Sequence, residues 1–366
     1  MRLGVEAALV EGALLPGDVS VDDGVITGVG LAANGAGRGS GIAAPGFVDL
    51  QVNGFAGVDF MAADLDGYRR AGDALLETGT TAFQPTFVTA PPAALLGAVR
   101  AMPADGIGPR VIGAHVEGPF LSPRRMGVHD AEWRRAPDLA LLREILDAGN
   151  VRQVTLAPEL PGALQLVDEL LARGVTAAAG HTDATASEAH LAFDRGVTTV
   201  VHLLNAMRPS TPRDPSVAIA ALARPDVVVQ MIVDGHHVAA DMVRVSWQAA
   251  AGRFALVTDA APAAGLGDGT FTLGAREVVA GDGVVRGPEG QLAGSALSMI
   301  EAVRNLVSLD VALPEALNAA SAVPARVCRR PDLGVLRVGG RADVVVLDDR
   351  LEIQRVFVDG GVRVAG

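Results

Sequence analysis

Between about Gly46 and Val327 short apolar runs alternate with stretches whose apolar residues return every three or four positions. The runs Phe47–Val52, Thr81–Phe87, Val111–Val116, Gln153–Ala157, Val175–Ala179, Thr198–Leu203, Val227–Val233 and Phe254–Thr258 read as buried strands. Between them the period lengthens to that of a helix: Leu139, Leu142, Ile145 and Leu146 share one face of 138–148, as do Val167, Leu170 and Leu171 of 162–172. Gly79, Gly149, Gly174, Gly196 and Gly252 each stand just before a strand, where a helix ends and the chain turns back. Eight such units predict an α/β fold, a (β/α)8 TIM-type barrel over 46–334, with a doubly wound open sheet as the competing topology.

The two ends have a different rhythm. Gly4–Val10 and Val19–Val29 are strand-like around an Asp23-Gly24 turn, and Ala342–Leu347 and Ile353–Val358 lead to a similar Asp359-Gly360 turn. This predicts a small β-sandwich domain built from both termini, 1–45 and 335–366. The stretch 270–290 breaks the β/α alternation and reads as an inserted β-hairpin.

Composition narrows the classes. The chain has 366 residues, 49% of them apolar, enough for a large core. Its net charge of −12 argues against a nucleic-acid partner, which needs clustered cations. With no lysine in the sequence, an anionic substrate has to be held by arginine, histidine or backbone N–H groups. The single cysteine, Cys328, precludes an intrachain disulfide, and neither a secretory leader nor a membrane-length apolar run is visible. The expectation is a cytoplasmic protein with no membrane partner.

Residues able to hold a metal recur where strands end. The third strand runs into Glu117, the fifth into His181, the sixth contains His202 and the eighth ends at Asp259. One such residue is usually structural. Four on four strands are harder to explain that way, because charged groups beside apolar strands are costly unless paired. In a barrel these ends converge over one mouth. Two imidazoles and a carboxylate with an open position suit one catalytic divalent ion, Zn2+ or a similar metal, and Asp259 could take a proton from water and return it to a departing amine. His115, two residues before Glu117, belongs beside the site rather than in it. His190 lies on a helical stretch and reads as a surface residue. Of His236 and His237, after the seventh strand, one could reach substrate. The glycine-rich 265–269 reads as a loop, and Leu297, Met299 and Ile300 as core.

With their neighbours these residues make motifs: PGFVDLQVNG (45–54), HVEGPFLSP (115–123), GHTDAT (180–185), VHLLNAM (201–207), DGHHV (234–238) and VTDA (257–260). In this order they resemble the N-acetylglucosamine-6-phosphate deacetylase family of the amidohydrolases, over nearly the whole chain. The resemblance implies that Glu117, His181 and His202 ligate the metal and that Asp259 is the general base and acid. It implies that His129 polarises the acetyl carbonyl and that Val128, Asn205, Ala206, Asp234 and His237 contact substrate. Leu292, Ala293 and Gly294 would line the sugar pocket. It further implies a homodimer in which Arg213 reaches the sugar phosphate across the interface. Where many amidohydrolases open the first strand with H-x-H for a second metal, this chain has Gln51-Val52-Asn53, so one metal is expected. The rivals are deacetylation of the isomeric N-acetylgalactosamine-6-phosphate, a cyclic-amide hydrolase on the same scaffold, and a non-catalytic sugar-phosphate sensor. The cyclic-amide hydrolases generally keep H-x-H and a bridging lysine, both missing here.

Overall fold

The structure, a computed structural model, describes residues 1–32, 39–105 and 107–365; positions 33–38 of the N-terminal β segment, 106 and 366 lie outside the described residues. Its centre is a parallel barrel of β1 (Phe47–Val52), β2 (Thr80–Phe87), β3 (Ala114–Glu117), β4 (Val151–Leu156), β5 (Thr176–Ala179), β6 (Thr199–Val200), β7 (Val228–Met231) and β8 (Phe254–Leu256). Each pairs in parallel with the next, and a parallel bridge between Val52 and Ala260 joins the ends. The open-sheet alternative is thereby excluded. All eight strands coincide with the apolar runs in the sequence; the third is interrupted, with Arg110–Val111 pairing separately on β2.

Helices α1 (Leu65–Glu77), α2 (Pro92–Ala101), α3 (Leu139–Ala148), α4 (Ala163–Ala172), α5 (Ala186–Arg195), α6 (Val217–Ala223), α7 (Ala240–Ala249) and α8 (Met299–Ser308) follow the strands. Asp138 caps α3 through the N–H groups of Ala140 and Leu141, and α5 opens with a reciprocal Thr185–Glu188 capping box. On α3 it is Leu141, Leu142, Ile145 and Leu146 that are buried, with Leu139 only half-buried at the helix start. Gly79, Gly174, Gly196 and Gly252 have the left-handed conformation that ends a helix, whereas Gly149 is extended at φ 179°.

Both chain ends contribute to one six-stranded sheet, in the order Ala13–Pro16, Ala7–Val10, Ile42–Pro45, Val344–Leu347, Ile353–Val358, Gly361–Ala365. A hairpin of Asp18–Asp22 and Val25–Leu31, turning at Asp23-Gly24, packs on it. Strand period two divides the labour. Val344, Val346 and Phe357 face the hairpin, while Val345, Leu347 and Val356 face the barrel core. The insertion after β8 has three antiparallel strands, Gly269–Leu273, Arg276–Gly281 and Val284–Arg286, rather than a single hairpin. It carries its own apolar cluster, Leu273, Val278, Ala280 and Val285 against Val88 and Ala293, over the C-terminal mouth of the barrel. No helix among the described residues is long and apolar enough to cross a membrane.

Candidate active site

The C-terminal ends of the strands meet at a cavity lined by Glu117, His129, His181, His202, Asp259 and the side chains around them. Glu117, the last residue of β3, is its centre. Its Oε1 lies 2.9 Å from His202 Nε2 and 3.3 Å from His181 Nε2, and its Oε2 lies 3.4 Å from His129 Nε2. Burial alone would raise the Glu117 pKa, but the surrounding imidazoles outweigh it and hold the carboxyl well below its ordinary range.

Backbone geometry here is unusual. His181, His202 and Asp259, each just beyond or near a strand end, have φ of 47°, 27° and 50°, a region that L side chains seldom occupy. Strain of this kind persists only where the surroundings enforce it, and it gathers at functional sites. Gly180, just before His181, lets β5 pack closely on its neighbour, since a Cβ there would stand 2.3 Å from Val201 Cγ2.

Three imidazoles surround one carboxylate, yet their inward nitrogens differ. His181 Nδ1 is 2.8 Å from the carbonyl oxygen of Arg125, so Nδ1 carries the proton and Nε2 presents a lone pair. The Arg125 guanidinium is itself anchored, 2.7 Å from Asp183. His129 has the opposite arrangement. Its Nδ1 accepts the backbone N–H of Thr89 at 3.2 Å, which puts the proton on Nε2. Burial is the main cause of a lowered His129 pKa, which favours the neutral ring. Ligand atoms of Glu117, His129 and His181 all lie within 4.8 Å of one another, a group that does not include the expected ligand His202 although its Nε2 is 2.9 Å from Glu117; His129 could ligate only by giving up the Thr89 N–H. His202 Nδ1 has no hydrogen-bond partner among the described residues, and Glu117, overriding the effect of burial, raises the His202 pKa. A divalent cation fits this donor set, since it would replace the proton His202 shares with Glu117.

Asp259 stands beside this cluster. Asn53 donates from Nδ2 to its Oδ1 at 2.7 Å. Burial and the Glu117 charge push the Asp259 pKa up to about 6, the range in which a carboxylate exchanges a proton near neutrality. Gln51 donates from Nε2 to Glu117 Oε1 at 3.1 Å. The Gln51 and Asn53 side chains that replace H-x-H therefore serve the two carboxylates. Sequence alone identified them only as poor ligands; the alternation Asp49, Gln51, Asn53 along one face of β1 was the signal for an inward polar row.

The substrate-contact positions divide. Val128, Asn205, Ala206, His237, Leu292 and Gly294 line the cavity, joined by Gly127 and Gln291, which the sequence did not single out. Asp234 instead sits behind His237, 2.6 Å from its Nδ1, and accepts the N–H groups of His236 and His237; although burial opposes it, this pairing holds the Asp234 pKa down at about 2. Ala293 is fully buried in the cluster beneath the insertion. Arg213 is exposed on the loop before α6 and does not line the cavity. His115 is enclosed below the site between Thr86 and Thr155, and His236 is exposed.

A lone-pair cluster for a cation, a neutral N–H donor facing it and a tunable carboxylate alongside suit metal-assisted hydrolysis of a carbonyl compound. The chain belongs to the amidohydrolase family, whose sequence profile matches residues 42–363. It is 35% identical over 359 residues to N-acetylgalactosamine-6-phosphate deacetylase of Escherichia coli O157:H7, covering 96% of this chain and 95% of that one. Human N-acetylglucosamine-6-phosphate deacetylase is 38% identical over 343 residues, 88% of this chain and 83% of its own. A solved structure of N-acetyl-D-glucosamine-6-phosphate deacetylase from Mycobacterium smegmatis, in complex with N-acetyl-D-glucosamine-6-phosphate, has a TM-score of 0.95 at 37% identity, covering 100% of this chain and 99% of that chain.

Proposed function

We propose that this chain is a metal-dependent deacetylase that converts N-acetylglucosamine-6-phosphate to glucosamine-6-phosphate and acetate. The observation that carries the reading is the pairing of opposite tautomers: His181 offers a lone pair and His129 an N–H to the same buried point, beside Asp259. Glu117, His181 and His202 would hold one divalent ion, Zn2+ being suited to this donor set, and such an ion lowers the pKa of water and polarises a carbonyl.

The residues then divide the work. His129 donates from Nε2 to the acetamide oxygen as it gains charge. Asp259, kept in place by Asn53, takes the proton of the attacking water and passes it to the amine nitrogen as the C–N bond breaks. Asn205, Ala206 and His237 line the same cavity and would hold the sugar phosphate, with Asp234 orienting His237. Leu292, Gly294 and Val128 line the same cavity and would pack against the sugar and its acyl group. Arg213, in a homodimer, supplies a guanidinium to the partner's phosphate, which accounts for its position away from its own cavity.

A second reading, deacetylation of N-acetylgalactosamine-6-phosphate, is favoured by the Escherichia coli relative, which matches the largest share of this chain among the relatives compared. Acetate release from both 6-phosphates, with and without a chelator, separates the readings. Metal-dependent release faster from the gluco isomer is expected. Binding without release would return the chain to the sensor reading.

A further inference from the structure

The barrel closes through fewer contacts at one seam than elsewhere. From β1 to β8 each strand joins the next through a ladder of two or more residue pairs, but β8 meets β1 only through the Val52–Ala260 bridge just beyond its end. Asp259 stands at this seam, in the left-handed region at φ 50°. Apart from the Asn53 contact, the place of its carboxylate is set by the backbone of 258–260, which is held from both sides. Ala260 pairs with Val52 on one side and with Ser295 on the other.

On the Ser295 side, its Oγ donates to the Thr258 carbonyl at 2.6 Å and its N–H to the Asp259 carbonyl at 2.8 Å. On the β1 side stands Asp49. Its Oδ2 accepts the Thr258 hydroxyl at 2.6 Å, and its Oδ1 accepts the N–H groups of Thr258 and Gln51 at 3.3 Å. The Thr258 hydroxyl oxygen also accepts the Ala260 N–H at 3.1 Å, so one side chain ties Asp49 to both neighbours of Asp259.

Asp49 is fully buried, and the charge of Asp259 repels its own. Burial pushes the Asp49 pKa up to about 7 against the pull of its hydrogen bonds. A carboxyl in such surroundings is less favourable than an apolar side chain of similar volume. Neither Asp49 nor Thr258 lines the cavity, so what the pair fixes is the register of the seam that carries Asp259.

We propose that Asp49 and Thr258 are positioning residues for proton transfer: they pin β8 to β1 so that the Asp259 carboxylate stays within reach of the attacking water and the departing nitrogen. The inference rests on the deacetylase reading, in which Asp259 moves that proton. A misplacement of about 1 Å in a catalytic group costs about 100-fold in rate.

The test is kcat and KM of the metal-loaded enzyme for acetate release from the better of the two 6-phosphates, with bound metal measured alongside. The enzymes are the wild type, Thr258→Val, Thr258→Ser and Asp49→Asn, each also in the Asp259→Asn background. Valine keeps the branching of threonine and removes the hydroxyl. Thr258→Val should lower kcat by about 10- to 100-fold with KM and bound metal unchanged, and Thr258→Ser, which returns the hydroxyl, should recover most of that loss. Asp49→Asn should lower kcat in the same way. In the Asp259→Asn background none of them should cause a further loss, because the group they act through is gone. Wild-type kcat in Thr258→Val, or in Asp49→Asn should the valine variant not fold, overturns the positioning role alone. So does a loss that recurs undiminished beside Asp259→Asn, or one that falls on KM or on bound metal. A wild-type enzyme that releases no acetate removes the deacetylase reading and this role with it.

Discussion

His129 and His181 lie with ring centres 4.4 Å apart, and the same side chain is made into a donor in one and a lone-pair ligand in the other. Two backbone groups impose the difference, the Thr89 N–H and the Arg125 carbonyl. Asp259 adds the third element, a carboxylate whose proton is held by burial beside Glu117. Asp259→Asn is expected to lower kcat by about 100- to 10,000-fold, the usual contribution of a positioned acid-base group, with metal content unchanged. A pKa raised to about 6 means that Asp259 keeps its proton to higher pH than a free carboxyl, so base function is lost as pH falls through that region and complete above it. A bound cation draws that midpoint downward. The profile of kcat/KM should accordingly rise along an acidic limb that the Asn variant lacks; a limb identical in both enzymes would assign it elsewhere.

At the scale of elements, the site is a property of strand ends and of what lets them bend. The eight strands were legible in the apolar runs, and four candidate site residues could be placed at their ends because barrel topology makes those ends converge. The third strand of the insertion was not legible. Val284–Arg286 is too short to show a period and is defined by its pairing with Arg276–Gly281. The exchange of Leu139 for Leu141 on the buried face of α3 likewise follows from how the helix lies on the barrel, which a helical wheel alone leaves open. Gly180 shows what the elements demand of one another. A Cβ at this position meets Val201 Cγ2 at 2.3 Å and Thr155 Cγ2 at 2.8 Å. Gly180→Ala should destabilise the protein by about 1–3 kcal/mol, the range for overpacking, and reduce bound metal because His181 is the next residue. Denaturant unfolding and metal analysis together check this, and an unaltered variant would show that β5 and β6 can part without cost.

For the whole molecule, the terminal sheet and the barrel share Val344–Leu347, one face to each core, so the two ends of the chain are tied to the layer that supports the site. Arg213 tests the proposed assembly. Arg213→Ala should raise KM about 10- to 100-fold, as expected for loss of a charge-assisted phosphate contact, with kcat largely kept. If the arginine acts across a dimer, mixing inactive Asp259→Asn subunits with Arg213→Ala subunits restores a site of normal KM in the mixed dimer. Mixtures showing only the kinetics of the Arg213→Ala enzyme would place the arginine in its own subunit or on the open surface.

By itself the sequence determined the strand and helix periods, the β character of both ends, and which residues could bind a cation, since all of these follow from side-chain type and local spacing. Only the tertiary structure decided which nitrogen of each histidine faces the cavity, that Gln51 and Asn53 support the two carboxylates, and that Asp234 and Ala293 stand behind the wall instead of on it. The reason is separation along the chain. The backbone partners of His129 and His181 lie 40 and 56 residues away, and Asn53 is 206 residues from Asp259, so those contacts exist only once the barrel has closed.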